Sequence, residues 1–257
     1  MAQRIVVTGA SSGIGAATVR RFAAQGWETV AVARREDRLR ALAAETGAHP
    51  IVCDITDEAD VARMAAEVAS TGGATGLANV AGGALGADSV EASSNDDWRW
   101  MFEVNVLGLR SVTAALLPVL RDAVRGGAAG ATILNLTSTA ALDAYPGGGG
   151  YNAAKFAAHA VTGALRLELA GEPIRVMELA PGLVHTEEFT LNRLRGDAAA
   201  AEKPYADVTP LTADEVAEVL VGAFAQPAHV NQDLIVIRPV AQTSVFHTHR
   251  GPLTPKG

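Results

Sequence analysis

The chain has 257 residues, of which 49% are hydrophobic and 19% are charged, so it can bury a large core as one α/β domain or two smaller ones. Its formal net charge of −7 provides no positive field, and we therefore expect neither nucleic acid nor a membrane as a partner. The single cysteine, Cys53, excludes an intramolecular disulfide, and its apolar neighbours favour a small buried side chain over a redox thiol.

Short apolar runs alternate with longer helical patterns along the whole chain. We predict strands over residues 4–8, 29–33, 51–53, 76–80, 132–137, 174–179 and 234–238. We predict helices near 14–25, 36–46, 57–70, 97–124, 152–170 and 212–225. Most strand runs are continuously apolar, as expected where helices cover both faces of a parallel sheet. The pattern predicts an α/β fold with one doubly wound, parallel, seven-stranded sheet, which is a Rossmann fold in a single domain.

The start of the chain and its apolar runs bear on location. Only three residues precede the first predicted strand, which leaves no room for a charged and then apolar leader. No apolar run approaches the length needed to span a bilayer. We therefore expect a cytoplasmic protein.

Three glycines follow the first strand in the sequence TGASSGIG. Gly9, Gly13 and Gly15 allow a sharp turn and a close approach of the main chain to a pyrophosphate, whose charge is favoured at the start of the next helix. A tight turn with close helix–strand packing is the alternative, but it explains one glycine rather than three. The position of the run between the first strand and the first helix predicts a dinucleotide site.

Two arginines follow the second strand. A site for NAD places an acid near this position to bind the ribose 2′-hydroxyl, whereas this chain has Arg34 and Arg35. Guanidinium groups instead hold a 2′-phosphate, and a charge-assisted hydrogen bond contributes roughly 1.5–3 kcal/mol. The alternative, a solvated helix start, is weakened because cations are poorly placed at a helix N-terminus. The arginines predict NADP(H) as the cofactor.

Tyr151 and Lys155 lie four residues apart in a helical pattern and so share one face. A neighbouring ammonium favours the phenolate and lowers the pKa of a phenol from its ordinary value of about 10 toward neutrality. The hydroxyl of Ser138 can orient a substrate oxygen. A Tyr-x-x-x-Lys pair alone is more often a surface pair, but together with Ser138 it predicts general acid–base chemistry at Tyr151.

Taken together, these motifs resemble the short-chain dehydrogenase/reductase family over nearly the whole chain. They are TGASSGIG at 8–15, CD at 53–54, NVAG at 79–82, VNVLG at 104–108, LTS at 136–138, YNAAK at 151–155 and PGLVHT at 181–186. The resemblance implies that residues 1–257 form one dinucleotide-binding and catalytic domain, which interconverts a hydroxyl and a carbonyl.

The resemblance also implies a role for individual residues. The catalytic set is Asn105, Ser138, Tyr151 and Lys155. In this set Lys155 also binds the nicotinamide ribose, and Asn105 holds a water that relays protons. The implied cofactor contacts are Gly9, Ser11, Ser12, Gly13, Ile14, Gly15, Arg34, Arg35, Asp54, Ile55, Asn79, Ala81, Gly82, Tyr151, Lys155, Pro181, Gly182, Val184 and Thr186.

The C-terminal part, from PGLVHTEEF to PAHVNQDLIVIRPVAQT, resembles the branch of NADP-dependent 3-hydroxy acid and serine dehydrogenases. Aldehyde reductases of antibiotic biosynthesis share some of this segment. The implied partners are a small carbonyl or alcohol substrate and further copies of the chain, in a dimer or tetramer. We expect the tail, residues 239–257, to reach a neighbouring subunit. We propose no metal, because His247 and His249 alone make a poor site.

Two segments near the expected site carry open alternatives. Residues 185–205, called the lid below, follow a strand and are expected to be a mobile substrate lid or a solvated insertion. In the lid, Arg193, Arg195 and Lys203 either hold a substrate carboxylate or are solvated. The run Gly147–Gly150 either removes side chains from the wall of the substrate pocket or is a flexible loop tip.

Two other classes of function are alternatives to an oxidoreductase. One is a non-catalytic NADP(H)-binding regulator on the same fold, which the presence of all four catalytic residues argues against. The other is an enzyme that uses its cofactor for epimerisation or dehydration. Such relatives are generally longer and prefer NAD.

Overall fold

The computed structural model describes residues 3–255. The strands are β1 Arg4–Thr8, β2 Glu28–Ala33, β3 His49–Val52, β4 Gly76–Asn79, β5 Ala131–Leu136, β6 Ile174–Pro181, β7 Val184–His185, β8 Leu211–Thr212 and β9 Ile235–Ile237. The helices are α1 Gly13–Ala24, α2 Glu36–Thr46, α3 Glu58–Ser70, α4 Asn95–Phe102, α5 Leu109–Arg125, α6 Gly149–Glu168, α7 Phe189–Arg193, α8 Ala198–Glu202 and α9 Ala213–Phe224. A π-helical turn, Glu103–Gly108, joins α4 to α5, and 3₁₀ turns lie at Thr139–Ala141 and Lys203–Tyr205.

Seven strands form one parallel sheet in the order β3-β2-β1-β4-β5-β6-β9, which confirms the predicted doubly wound α/β fold. The order reverses between β1 and β4, because the chain builds outward first on one side of β1 and then on the other. Open α/β sheets bind their ligands at such a switch point, beyond the carboxyl ends of the strands.

Both faces of the sheet are covered, and β1 shows how. Ile5 and Val7 point to one side, where they join a buried cluster with Phe22 of α1. Val6, between them, points to the other side and joins a cluster with Leu116 of α5. Side chains alternate between the two faces of a strand. A strand that is covered by apolar residues on both faces therefore has a continuously apolar sequence. Each such buried side chain contributes about 1.5–3 kcal/mol to stability.

Several helices begin at residues that cap them, whereas the first helix, at the site, does not. Asp57 accepts hydrogen bonds from two main-chain N–H groups in the first turn of α3. Thr212 and Glu215 form a reciprocal capping box at the start of α9. Ser12, which precedes α1, makes no such bond within the described residues. The first N–H groups of α1 therefore remain available to an anion.

The helix predicted at 97–124 runs from Asn95 to Arg125 and contains the π-helical turn, which the sequence did not predict. Its 31 residues are long and apolar enough, by length and composition, to cross a membrane. The expectation that no segment approaches that length is therefore wrong. Half of its most apolar stretch is buried inside the fold, where Val112, Leu116 and Leu120 pack on the sheet.

Candidate active site

A cavity of about 1030 Å³ lies at the carboxyl ends of the central strands. It collects nearly all the residues that the sequence predicted for the site. These are Gly9, Ser11, Ser12, Gly13, Ile14, Gly15, Arg34, Arg35, Asp54, Ile55, Ala81, Gly82, Ser138, Tyr151, Lys155, Pro181, Gly182, Val184 and Thr186. The other two, Asn79 and Asn105, do not line it.

The glycine turn after β1 is shaped by close contacts. Gly9 has a φ of +69°, and a Cβ there would lie 2.9 Å from the main chain of Ala81. Gly82 lies beside the catalytic residues, where a Cβ would come within 2.7 Å of Asn105 Oδ1 and 3.2 Å of Lys155 Nζ. Because a Cβ at either position would meet other protein atoms, these glycines allow the main chain after β1 and after β4 to pack closely beside the cavity.

One end of the cavity holds a cluster of Arg35, Ser11 and Ser12, called the arginine–serine cluster below. Arg35 donates to Ser11 Oγ from Nε at 3.1 Å and from Nη2 at 2.9 Å, and to Ser12 Oγ from Nη2 at 2.8 Å. Its Nη1 lies 2.7 Å from Oε1 of Glu188. Arg34 is 65% exposed at the side chain, 3.7 Å from Asp54. Hydroxyl and guanidinium donors of this kind suit a phosphate.

Tyr151 lies at the other end of the cavity and is 8% exposed. Burial raises the pKa of Tyr151, and Tyr145 raises it further, while Ser138 and the charge of Arg193 lower it. The prediction that Lys155 brings this pKa toward neutrality is wrong for the structure described. Their helical spacing puts both residues on one face, but the ammonium is 5.8 Å from the centre of the Tyr151 ring.

The ammonium group of Lys155 is buried and bonds the main chain at the end of β5. Its Nζ donates to the main-chain oxygen of Leu136 at 3.2 Å. Burial lowers the pKa of Lys155 to about 8, and the nearby carboxylate of Glu178 opposes that change. Glu178 is itself 1% exposed, accepts a hydrogen bond from Thr137 Oγ1 at 2.5 Å and lies 2.7 Å from His159 Nδ1. A buried carboxylate on β6 thus helps Lys155 to keep its proton, which sequence reasoning missed.

Asn105 lies in the π-helical turn, and its amide is occupied by main-chain groups. Its Nδ2 donates to the oxygens of Gly83 and Met101, each at 2.8 Å, and its Oδ1 accepts from the Gly83 N–H at 3.2 Å. It therefore fixes the loop that follows β4. Its predicted role in holding a water stays a prediction.

Asn79 does not line the cleft, contrary to prediction. Its Nδ2 donates to Thr113 Oγ1 and to Asn135 Oδ1, each at 2.9 Å, and the residue is buried. As the last residue of β4, it points toward α5 and away from the cavity. Val80, Ala81 and the glycine after them line the cavity instead.

The lid is packed over the cavity and is largely helical, although no pattern in its sequence predicts helices. The Phe189 ring lies 5.7 Å from that of Tyr151. Arg193 donates from Nε to Gly86 O, from Nη1 to Tyr145 Oη and from Nη2 to Gly147 O, each at 3.0 Å. One lid side chain thus joins loops from two other parts of the chain. The predicted mobility of the lid stays a prediction.

The three lid cations differ in position. Arg193 lines the cavity, with its guanidinium 5.6 Å from the centre of the Tyr151 ring. Arg195 is paired with Asp97 at 2.7 Å, and neither it nor Lys203 lines the cavity. Only one of the three cations is therefore placed to meet a substrate acid.

The tail after β9 folds onto the cavity of its own chain, whereas the sequence led us to expect a reach toward a neighbour. Gln242 accepts from the Leu183 N–H at 2.7 Å, and Arg250 Nη1 donates to Ala206 O at 2.5 Å. The tail residues on the cavity wall are Gln242, Val245, Thr248 and Arg250. No motif marks them, and their polar composition does not indicate what they contact.

The four glycines before Tyr151 lie outside the cavity, so the prediction that they widen the substrate pocket is wrong. A Cβ on Gly147 would lie 2.7 Å from Ala87 O, and one on Gly150 would lie 2.5 Å from Met101 Cε. Gly148 and Gly150 are buried, which also disagrees with a free loop tip. The run allows the start of α6 to pack directly against the segment from Ala87 to α4.

Comparison with known proteins agrees with this geometry. Residues 3–194 match the short chain dehydrogenase family. An uncharacterised oxidoreductase of Mycobacterium tuberculosis is 50% identical, over 96% of this chain and 95% of its own length. Sulfoacetaldehyde reductase 2 of Chromohalobacter salexigens is 39% identical, over 97% of this chain and 100% of its own.

Among solved structures, the closed form of a serine dehydrogenase complexed with NADP⁺ matches with a TM-score of 0.89 and 34% identity. That match covers 96% of this chain and 100% of the serine dehydrogenase, and it confirms the predicted resemblance to the serine dehydrogenase branch. The family match runs from β1 to the lid, through the glycine turn and the elements that carry Ser138, Tyr151 and Lys155. The chain therefore belongs to the short-chain dehydrogenase family.

Proposed function

We propose that this protein is an NADP(H)-dependent oxidoreductase that interconverts a hydroxyl and a carbonyl on a small molecule bearing an acid group. The observation that carries the proposal is a single cavity with the arginine–serine cluster at one end and Tyr151 at the other. A phosphate-bearing cofactor and a carbonyl therefore have places in one continuous space.

The residues around the cavity fit such a cofactor. Gly9 and Gly82 allow the main chain to pack closely along the cavity, and the first N–H groups of α1 suit a pyrophosphate. The arginine–serine cluster would hold the 2′-phosphate, and Lys155 would meet the nicotinamide ribose. The nicotinamide, when bound, supplies or accepts the electron pair of the reaction.

The proton chemistry belongs to Tyr151. Because burial raises the pKa of Tyr151, the phenol keeps its proton at neutral pH and can donate it to a carbonyl oxygen during reduction. Ser138, which lines the same cavity, would orient the substrate oxygen beside the phenol. Oxidation moves the proton the opposite way, from a hydroxyl to the tyrosine.

Arg193 supports an acid group on the substrate. Three of its five N–H groups bond the acceptors given above, which leaves two that can face the cavity. The two related enzymes are named for serine and sulfoacetaldehyde, which are small molecules that carry an acid group. A carboxylate or sulfonate at Arg193 would place the rest of a short substrate near Tyr151.

The first experiment follows the absorbance of reduced nicotinamide. NADPH or NADH is offered with pairs of aldehydes of equal length, one with a carboxylate or sulfonate and one without. In reverse, NADP⁺ is offered with serine, other 3-hydroxy acids and simple alcohols. We expect turnover with NADPH and a lower KM for the acid-bearing member of each pair. Cofactor binding without turnover of any substrate would favour the non-catalytic regulator.

An arginine pair provides the matched test of the acid group. Arg193→Gln should raise the KM for acid-bearing substrates about tenfold or more relative to neutral ones, because a charge-assisted bond is lost. Arg195→Gln removes a lid guanidinium that is paired with Asp97 outside the cavity and should not change this ratio. An equal effect of both variants would contradict the assignment.

The apolar surface supports association of several copies. Leu107, Phe156 and Leu167 are large apolar residues that are exposed along the two long helices. A homo-oligomer through these helices would cover them. Light scattering should give a mass that is a multiple of 26.4 kDa, and Leu167→Glu should lower it. A monomer in the unmodified protein would contradict the proposal.

A further inference from the structure

Glu188 places a carboxylate at the arginine–serine cluster. It directly follows Glu187 after the PGLVHT motif and immediately precedes α7, the first helix of the lid. Its Oε1 lies 2.7 Å from Arg35 Nη1 and 3.3 Å from Arg38 Nη2. Ser12, which accepts from Arg35, also helps to keep this carboxylate ionised. Glu188 thus shares Arg35 with the ligand proposed for the cluster.

This carboxylate is charged and partly shielded. Its side chain is 23% exposed, and the hydrogen bond from Arg35 holds the pKa of Glu188 below its usual range. It is therefore ionised at neutral pH. Two anions that share one guanidinium repel each other, and salt screens such a repulsion less when the pair is partly buried. An incoming phosphate and the carboxylate must compete for Arg35.

Resting on the proposed function, we propose that Glu188 is a specificity-determining residue for the cofactor, an internal anion that competes with the 2′-phosphate for Arg35. It lowers the affinity for NADP(H) and leaves that for NAD(H) nearly unchanged, so it narrows the preference between them. Because Glu188 immediately precedes the first helix of the lid, binding of the phosphate also releases one attachment of the lid to the segment after β2.

The test compares dissociation constants of NADPH and NADH, measured by fluorescence titration at fixed ionic strength. Glu188→Gln keeps the size of the side chain and removes its charge. We expect the Kd of NADPH to fall about tenfold, since the competing charge-assisted bond is weakened, and the Kd of NADH to change less than about threefold. The ratio of the Kd of NADH to the Kd of NADPH should therefore rise.

Glu187→Gln is the matched control. This neighbouring carboxylate is 81% exposed and lies 3.9 Å from Arg38. An exposed pair of this kind contributes little, so the ratio should change less than about twofold. If Glu187→Gln raised the ratio of the Kd of NADH to that of NADPH as much as Glu188→Gln does, the effect would be a general one of charge. That result would overturn the inference.

Two cofactor fragments isolate the phosphate. Adenosine 2′,5′-bisphosphate should gain affinity in Glu188→Gln as NADPH does, while adenosine 5′-monophosphate should not. An equal gain for both fragments, or an unchanged ratio of NADPH to NADH affinity, overturns the inference and leaves the proposed function standing. If neither the unmodified protein nor the variant binds either cofactor while both melt cooperatively, the proposed function falls together with the inference.

Discussion

The pKa of Tyr151 is set mainly by burial, and Lys155, four residues later, plays a smaller part than the motif implies. Phe189 of the lid covers the Tyr151 ring, and the lowering effects of Ser138 and Arg193 do not offset burial. This arrangement favours the neutral phenol. In the function that we propose, such a phenol is ready to donate its proton to a carbonyl.

Replacing Tyr151 by Phe removes the transferable proton and keeps the ring. We expect kcat/KM for carbonyl reduction to fall about 10²- to 10⁴-fold, the usual contribution of a positioned acid–base group. The Kd of NADPH should stay within about threefold, because the phenyl ring fills the same space. Steady-state kinetics and a fluorescence titration measure the two quantities. Full activity in the variant would remove Tyr151 from the proposed chemistry.

The pH dependence should report Lys155. Burial lowers its pKa to about 8, so its charge is present below that pH and is lost as the pH rises through it. We expect kcat/KM to fall above about pH 8. Glu178→Gln removes a carboxylate that raises this pKa, so the fall should begin at lower pH. Glu172→Gln, at a surface ion pair with Arg121, is the control, and an unmoved profile in Glu178→Gln would contradict the assignment.

Among the individual residues of the site, the sequence predicted those that a local pattern defines. Tyr151 and Lys155 are one helical turn apart, and Ser138 follows a strand, so each could be placed from its own segment. Glu178 and Glu188 were missed, because their importance comes from contacts with residues 23 to 153 positions away. Those distances in sequence carry no local signal.

Among the elements, the start of α6 shows how backbone and catalysis are linked. The glycine run lets α6 approach the segment from Ala87 to α4 closely, and the same loop offers the Gly147 oxygen to Arg193 of the lid. The loop therefore positions both the helix that carries Tyr151 and the lid above it. A side chain here would disturb packing rather than narrow the cavity.

Gly147→Ala should destabilise the protein by about 1–3 kcal/mol, because its φ is +74° and the new Cβ would lie 2.7 Å from Ala87 O. Gly163→Ala is the matched control within α6, since a Cβ there meets nothing within 4 Å. It should stabilise the helix by about 0.5–1 kcal/mol. Urea denaturation gives both values, and changes of the same sign would contradict the packing argument.

The elements themselves could largely be predicted. Continuous apolar runs located all seven strands of the sheet, because parallel strands are buried on both faces. The π-helical turn at Glu103–Gly108 could not be, since it depends on the bonds that Asn105 makes to the loop after β4. The helices of the lid were also missed, because the stretch from His185 to Tyr205 shows no apolar periodicity.

The whole molecule brings three distant segments to one cavity: the glycine turn, the lid and the tail after β9. Gln242 of the tail bonds Leu183, 59 positions earlier, and both residues line the cavity. The class of fold followed from the alternation of strands and helices, but the packing of the tail did not. A polar segment with three prolines has no hydrophobic pattern from which its contacts could be predicted.

A ligand that touches several of these segments should stabilise the folded chain as a unit. NADP⁺ at about 100 times its Kd should add about 2.7 kcal/mol to the free energy of unfolding, which raises Tm by about 5–10 °C. NAD⁺ at the same concentration should raise it less, because it lacks the 2′-phosphate. Thermal melts with each cofactor provide the measurement. Equal shifts would show that the phosphate adds nothing to binding.

Arg193 couples the lid to two loops through one side chain. The three acceptors of that side chain lie 46 to 107 residues away in the chain, in the loop after β4 and the loop before α6. Displacing this guanidinium would end all three bonds at the same moment, while the ion pairs of Arg195 with Asp97 and of Glu188 with Arg35 would remain. If the lid opens as we predict, the time for which a product stays enclosed would then depend on when that one side chain leaves its acceptors.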